Sequence, residues 1–412
     1  MKHGAIAWLS VLLCTFCVPA AHAGNNGQAF AQIARGRYLT IAGDCAACHT
    51  APGGKPFAGG KPIETPFGVV VSANITPDRE TGIGAWTDAE FLGALRRGIG
   101  RGGDHLYPAM PYPYYTKLSR ADVLAIRAYL NTLAPVRNEV KSDRLPFPFD
   151  IRASMVAWNT LFFSDGRFRP AADKSAAWNR GAYLVALEHC GACHTSKNLL
   201  GGDETGMALQ GGAVQGWFAP DVTDGAHTGL GTWSVADIVA YLHSGHNAVS
   251  AATGPMAEVV RDSTSHLTGT DLKAIALYLK DQPGANRKPP KPASAGAPDM
   301  KSGQALYVDN CSACHGASGQ GIPGLFPALK DNPSVQARRP TSLIRVVLGG
   351  AQSVATASAP TGAAMPAFGW KLSNAEVAAI VTYIRNTWGN AASTVSAGTV
   401  GSARQRLSQR VD

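Results

Sequence analysis

The sequence predicts an all-α protein in which one small helical unit occurs three times, and three observations carry that reading. A five-residue pattern, Cys-x-x-Cys-His, stands at Cys45 to His49, Cys190 to His194 and Cys311 to His315. A short helical stretch precedes each pattern. In the first two it carries Arg-Gly36-Arg-Tyr38-Leu and Arg-Gly181-Ala-Tyr183-Leu at one offset from the first Cys, while Gly303-Gln-Ala-Leu-Tyr307 is a looser third copy. Each unit then closes on a helix with a legible start, at Ser119 with Asp122, Thr268 with Asp271, and Ser373 with Glu376. A hydroxyl side chain with an acid three residues later satisfies the free N–H groups of a first helical turn, and the apolar residues that follow recur at helical spacing. Self-similarity at this scale fixes the organisation of a chain before any other feature.

Between pattern and closing helix the copies continue to match. Gly84-Ala-Trp86-Thr87-Asp88 and Gly231-Thr-Trp233-Ser234-Val each lead into an amphipathic stretch, and Pro340-Thr341-Ser-Leu343-Ile344 takes that place in the third. The expected divisions are a signal segment over 1–23, units over 24–140, 171–282 and 299–390, an apolar connector over 141–170, a Pro-rich linker over 283–298 and a disordered tail over 391–412. The linker reads as semi-extended. The connector, from Leu145-Pro-Phe-Pro-Phe149 through Trp158, Leu161, Phe162 and Phe163, is too apolar for a solvated tether. Either it packs the first two units together or it offers an apolar face to a partner or membrane surface.

Composition narrows the class further. The 412 residues are 45% hydrophobic and 16% charged with 46 Gly and 26 Pro, which excludes a disordered or fibrous chain and suits loop-rich units wrapped around a cofactor. Lys plus Arg number 37 against 28 acids, without a basic run, so nucleic acid is not an expected partner. Lys2 and His3, the apolar run from Ala5 to Val18, and Ala21-His22-Ala23 form the charge, core and cleavage pattern of a secretory signal, placing the mature protein outside the cytoplasm, in the periplasm. Without that segment the formal charge is about +8. Cys14 and Cys17 leave with it, and the six remaining cysteines all lie in the repeated pattern.

Cys-x-x-Cys-His is the attachment signature of c-type haem. Two thiols one helical turn apart reach the two vinyl groups of the porphyrin, and the adjacent His reaches the iron. Zinc needs four ligands close together, and the pairs here are far apart in the chain. Disulfides within each pair would not explain a His after every second Cys. A thioredoxin-like motif belongs in a βαβ pattern that this sequence lacks. Three covalently bound haem c groups are therefore expected, on Cys45 and Cys48, Cys190 and Cys193, and Cys311 and Cys314, with His49, His194 and His315 as iron ligands.

The opposite face of each iron decides the chemistry, because Met closes the site for electron transfer whereas a vacant face admits peroxide or oxygen. Met365 is the one Met after His315, and no His follows it. Met110, between Pro108 and Pro111, stands 61 residues after His49, and Met256, after Pro255, stands 62 after His194. All three are expected in Pro-flanked loops before the closing helix. His105 competes in the first unit, and Met207, His189, His227, His243, His246 and His266 compete in the second. A Pro carbonyl often orients the proximal imidazole; Pro327 is placed for His315, while no Pro near His194 matches.

With these motifs, together with Asn74-Ile-Thr-Pro77, Phe147-Pro-Phe149, Trp178-Asn-Arg-Gly181-Ala-Tyr and Gly254-Pro-Met256-Ala, the chain resembles the tri-haem cytochrome c subunits of bacterial membrane-bound alcohol and sugar dehydrogenases, through Trp388. The resemblance implies three cytochrome c-like haem domains in tandem. It also implies a large dehydrogenase subunit as partner, quinone- or flavin-dependent and in related systems molybdenum-dependent, with electrons passed to membrane ubiquinone or the respiratory chain. On that reading the chain has no catalytic residue of its own, lies peripherally on the outer face of the cytoplasmic membrane, and its polar tail does not match the amphipathic anchor of the family. Two other functions stay open at this stage: a peroxidase-like haem enzyme with one open iron, and a free-standing soluble carrier to a terminal oxidase.

Overall fold

A computed structural model describes Met1 and residues 23–141, 143–285 and 288–408. The signal segment expected over 1–23 lies almost wholly outside them. Helices dominate. In the first repeat an opening helix, Ala23–Ala42, leads into the helical turn Cys45–His49, then Asp88–Arg97, the short Tyr112–Tyr115 and the closing helix Arg120–Leu130. The second runs Ala176–Leu187, Cys190–His194, Val235–Ser244, Pro255–Asp262 and Gly269–Lys280, and the third Pro298–Asn310, Ser312–His315, Thr341–Gly349 and Asn374–Arg385. Each closing helix starts where the sequence places it, with the hydroxyls of Ser119, Thr268 and Ser373 accepting from the backbone N–H of Asp122, Asp271 and Glu376.

The opening and closing helices of each repeat cross at a glycine. A Cβ on Gly36 would stand 1.8 Å from the carbonyl oxygen of Ala125, one on Gly181 2.0 Å from that of Ala274, and one on Gly303 2.3 Å from that of Ala379. In each case the Cβ of a tyrosine one turn on, Tyr129, Tyr278 or Tyr383, closes the gap from the other side. The two backbones touch, so no side chain fits between them. That contact explains why glycine stands at this point in all three copies.

The all-α expectation needs correcting in one respect: three small antiparallel hairpins accompany the helices. Pro62–Thr65 pairs with Gly68–Val71, Gly212–Val214 with Trp217–Ala219, and Ala351–Gln352 with Ala364–Met365. The second turns on Gln215 and Gly216, both at positive φ (44° and 73°), the two-residue turn whose twist matches a hairpin. Strands of two to four residues are too short to show alternation.

One apolar core runs through the first two repeats, from Leu39, Phe91 and Ile126 to Leu184, Ile238 and Ile275, and a separate core around Tyr307, Ile344 and Ile380 serves the third. The connector packs against both units and also leaves apolar side chains in solvent. Tyr112 donates to Asn159 at 2.6 Å and Trp158 Nε1 to the Leu200 carbonyl at 2.9 Å, while Phe147 and Leu161 stand 79% and 67% exposed, as does Leu199 of the second unit at 96%. The third repeat docks on the second through Ser342 with the Phe218 backbone and Asn332 Nδ2 with the Val249 carbonyl.

The expectation of a disordered tail is overturned. Ala397–Ser408 is a helix whose Val400 and Ala403 are buried, and Arg404 ties it to Asn374 and to the Leu372 carbonyl. Among the described residues no helix is long and apolar enough to cross a membrane.

The glycine crossing yields a direct test. Gly303→Ala must push the opening helix off Ala379 and should lower the stability of the full chain by about 1–3 kcal/mol, as overpacking does. Gly269→Ala, at a helical position with nothing within 4 Å, should be neutral or slightly stabilising. Urea denaturation of the two variants reads the contrast, and equal effects would contradict the crossing.

Candidate haem-attachment sites

Each Cys-x-x-Cys-His turn begins just past its opening helix. Asp44 and His189, immediately before Cys45 and Cys190, hold left-handed backbone (φ 50° and 41°) and turn the chain sharply into the motif. The third copy enters instead through Cys311 at a negative φ of −124°. None of the six motif cysteines is paired in a disulfide. Burial pushes Cys45 up to about 12 and Cys48 and Cys311 up to about 11, and raises Cys190 and Cys193 as well. Redox-active Cys-x-x-Cys pairs need the opposite, a thiol pKa lowered by a positive neighbour. Among the described residues no three His, Cys, Asp or Glu side chains converge in the manner of a metal cage.

The three histidines share one geometry. His49 Nδ1 donates to the Ala73 carbonyl at 2.7 Å, His194 Nδ1 to Pro220 at 2.7 Å, and His315 Nδ1 to Pro327 at 3.0 Å. A carbonyl oxygen only accepts, so the proton sits on Nδ1 and the lone pair on Nε2 is left for a metal. Burial depresses all three pKa values against the pull of the carbonyl, keeping the rings neutral. Pro327 acts as the sequence suggested. The reading that no proline serves His194 is corrected: Pro220 does so from 26 residues away, where Pro327 lies 12 from His315.

The candidate methionines are less uniform than expected. Met110 lies in a turn before Tyr112–Tyr115, but Met256 stands in the first turn of the helix Pro255–Asp262 and Met365 in the strand Ala364–Met365, so two of the three are not in loops. Met110, Met256 and Cys190 pack against the joint core of the first two repeats, and Met365 and Cys311 against the core of the third. The competing histidines have other engagements. His105 Nδ1 meets Asn159 at 3.4 Å, His227 Nε2 bonds the Ala391 carbonyl, His266 Nε2 bonds the Arg261 carbonyl, and the His189 ring lies edge-on to Tyr115. His243 is exposed, and Met207 ends a turn of 3-10 helix.

One unsatisfied atom tests the fit of haem to these residues. Trp233, from the repeated Gly-x-Trp element, is 6% exposed, and its indole N–H has no acceptor among the described residues. An unpaired buried donor is costly, and a haem carboxylate is the kind of acceptor that would satisfy it. Paired thiols, neutral imidazoles with a free Nε2 and this orphan donor all suit the group.

Sequence reasoning passed over two acids beside the motifs. Glu188 is buried and Asp44 half-buried, and each holds one enclosed carboxyl oxygen without a partner among the described residues. Burial, reinforced by repulsion from Asp262 and Glu258, pushes Asp44 up to about 8; burial and the nearby Asp44 raise Glu188 well above the usual carboxylate range. Their signal was present in the sequence only as an acid at the end of each opening segment.

Comparison with known proteins agrees with this chemistry. The cytochrome c family model matches residues 33–134 and 300–388. The chain is 40% identical to the gluconate 2-dehydrogenase cytochrome c subunit of Pantoea cypripedii, over 91% of this chain and 90% of that one. It is 39% identical to the cytochrome c subunit of the quinone alcohol dehydrogenase of Gluconobacter oxydans, over 98% and 88%. It is also 40% identical to a nicotinate dehydrogenase subunit of Pseudomonas putida, over 89% of this chain but 31% of that protein. With similarity running along nine-tenths of both sequences, the chain belongs to the family of cytochrome c subunits of bacterial dehydrogenases.

Proposed function

We propose that the chain is a periplasmic tri-haem electron-transfer subunit that accepts electrons from an alcohol, sugar or aldehyde dehydrogenase subunit and delivers them to ubiquinone or another respiratory-chain acceptor. The observation that carries this reading is the threefold recurrence of one arrangement, a pair of cysteines one helical turn apart beside a histidine whose Nδ1 is committed to a backbone carbonyl. The divisions are three haem units over 24–140, 171–282 and 299–390. Cys45 and Cys48, Cys190 and Cys193, and Cys311 and Cys314 hold three haem c groups, His49, His194 and His315 supply one axial ligand each, and Met110, Met256 and Met365 the other. Bound there, haem c supplies a one-electron iron couple, and thioether ligation keeps the iron closed to peroxide and oxygen. The residues hold and insulate; substrate chemistry belongs to the partner.

Two findings support a dehydrogenase partner. The relatives are named as cytochrome subunits of dehydrogenases, and in the Pseudomonas putida protein a segment like this chain is part of a much longer dehydrogenase subunit. The connector offers a contact surface, with its Phe147 and Leu161 and its Arg144 and Arg152 all exposed, and Leu199 of the second unit is exposed as well. Trp158 and Phe162 are turned onto the Leu200 to Gly202 loop and hold the patch in place.

Three outcomes are expected. The intact mass of the exported protein should exceed that of its apo-chain by three haems, with all six thiols blocked; two haems or a free thiol would refute the count. Met365→Ala should lower the potential of the third iron and remove one haem's share of the weak near-infrared sulfur-to-iron band of the oxidised protein, and an unchanged band would refute the ligand. Rising salt should slow capture of the dehydrogenase subunit, while Phe147→Ala and Leu161→Ser speed its release with haem retained, since charge steers association and apolar burial governs dissociation. Surface binding with separated subunits reads both rates, and salt-independent capture with unchanged release would take the connector out of the interface.

A further inference from the structure

The first two repeats are joined by an exchange of equivalent contacts. Tyr38, on the first opening helix, donates to Asp271 Oδ2 at 2.6 Å and accepts from the Thr268 N–H at 3.3 Å, so it caps the closing helix of the second repeat. Tyr183, on the second opening helix, donates to Asp122 Oδ2 and accepts from the Ser119 N–H at 3.1 Å, capping the closing helix of the first. Each aspartate is also held by the arginine of its own repeat, Asp122 by Arg35 at 2.5 Å and Asp271 by Arg180 at 2.9 and 2.7 Å. Every contact but the second Arg180 bond has its counterpart under interchange of the two repeats.

The Cys-x-x-Cys-His turns lie inside this frame. Tyr115 donates to the Gly43 carbonyl at 2.9 Å while its ring meets His189 edge-on, so one side chain touches the entrance to both motifs. Lys61 bonds the Ala47 carbonyl within the first motif and pairs with Glu258 on the helix that carries Met256. In return, Gly191 of the second motif lies against the ring of Tyr114, four residues after Met110. The third repeat stands apart: Ala305 occupies the place of the exchanged tyrosine, and Tyr307 bonds the Gly316 carbonyl of its own unit at 2.6 Å.

We infer that Tyr38 and Tyr183 are reciprocal positioning residues that lock the first and second Cys-x-x-Cys-His sites face to face as one electron-transfer pair, with the third site outside it. This rests on the haem reading of the motifs given above. Burial pushes the carboxyls of Asp122 and Asp271 up, but the hydrogen bonds from Arg35 and Tyr183, and from Arg180 and Tyr38, outweigh it and leave both below the ordinary value. The phenols therefore donate to ionised carboxylates, bonds about twice as strong as neutral ones. Loss of either hydroxyl leaves its aspartate with the arginine, so tyrosine to phenylalanine loosens the lock without stranding a buried charge.

The test uses the full haem-loaded chain with Tyr38→Phe, Tyr183→Phe and the double variant. Two neighbouring haems in fixed orientation couple their Soret transitions into a two-signed circular-dichroism band. Each single variant should reduce that band by a similar amount, the double variant should lose most of it, and the amides of Thr268 and Ser119 should exchange about tenfold faster. The near-infrared share of the third site should not move. A wild type with three haems and a single-signed Soret band overturns the pairing, as does an unchanged band in the double variant. If the double variant does not fold, the singles decide, because a loss in only one overturns the reciprocity. Fewer than three haems in the wild type refutes the haem reading itself.

Discussion

Backbone contact between the opening and closing helices governs the rest of this molecule. Where Gly36, Gly181 and Gly303 touch Ala125, Ala274 and Ala379, the end of each opening helix is fixed relative to the closing helix, and the Cys-x-x-Cys-His turn begins within a few residues of that end. A helical turn of four or five residues cannot hold its own position, since helices that short are unstable alone. Its placement is inherited from the crossing on one side and from the carbonyl on histidine Nδ1 on the other. With both ends held, the cysteines and the histidine Nε2 keep one arrangement relative to the two long helices.

The same crossing was reused three times with different neighbours. In the first two repeats the tyrosine two residues past the glycine points to the other unit, the two cores merge, and each closing helix takes part of its cap from its neighbour. In the third the tyrosine is displaced by two positions, packs against Tyr383 and Trp388, and bonds within its own unit. The tail helix then occupies a flank of the third core, with Val400 buried and Arg404 reaching Asn374 and the Leu372 carbonyl. Sequence divergence of the third copy and its separate core are thus two views of one change in contacts.

What could be read from the residues alone follows from how local the signals are. The motifs, the capped closing helices and the Pro327 carbonyl are short-range patterns, and the structure has each in its expected place. Pro220 was missed because a carbonyl oxygen has no residue signature and the second unit spends 26 residues on the loop that brings it back. The hairpins were missed because strands of two to four residues hold too few positions for a period of two. The tail read as disordered because it buries only two apolar side chains, Val400 and Ala403, among polar ones and is otherwise held by an arginine bonding backbone carbonyls. Tyr38 and Tyr183 were visible as a repeat, but that they bond the opposite unit is tertiary information that one unit's sequence does not contain.

The distribution of charge follows from the same packing. Around the first two motifs, burial shifts the thiols of Cys45 and Cys190, the imidazoles of His49 and His194, and the carboxyls of Asp44 and Glu188 toward their uncharged forms. The carboxylates of Asp122 and Asp271 stay ionised because each meets an arginine and a phenol at the edge of the seam, where Arg35 still reaches solvent. Burying an unpaired charge costs far more than burying a neutral group, so a seam closed by two packed units selects neutral forms inside and paired charges at its rim. That selection comes from the joint core of the two repeats rather than from either motif alone.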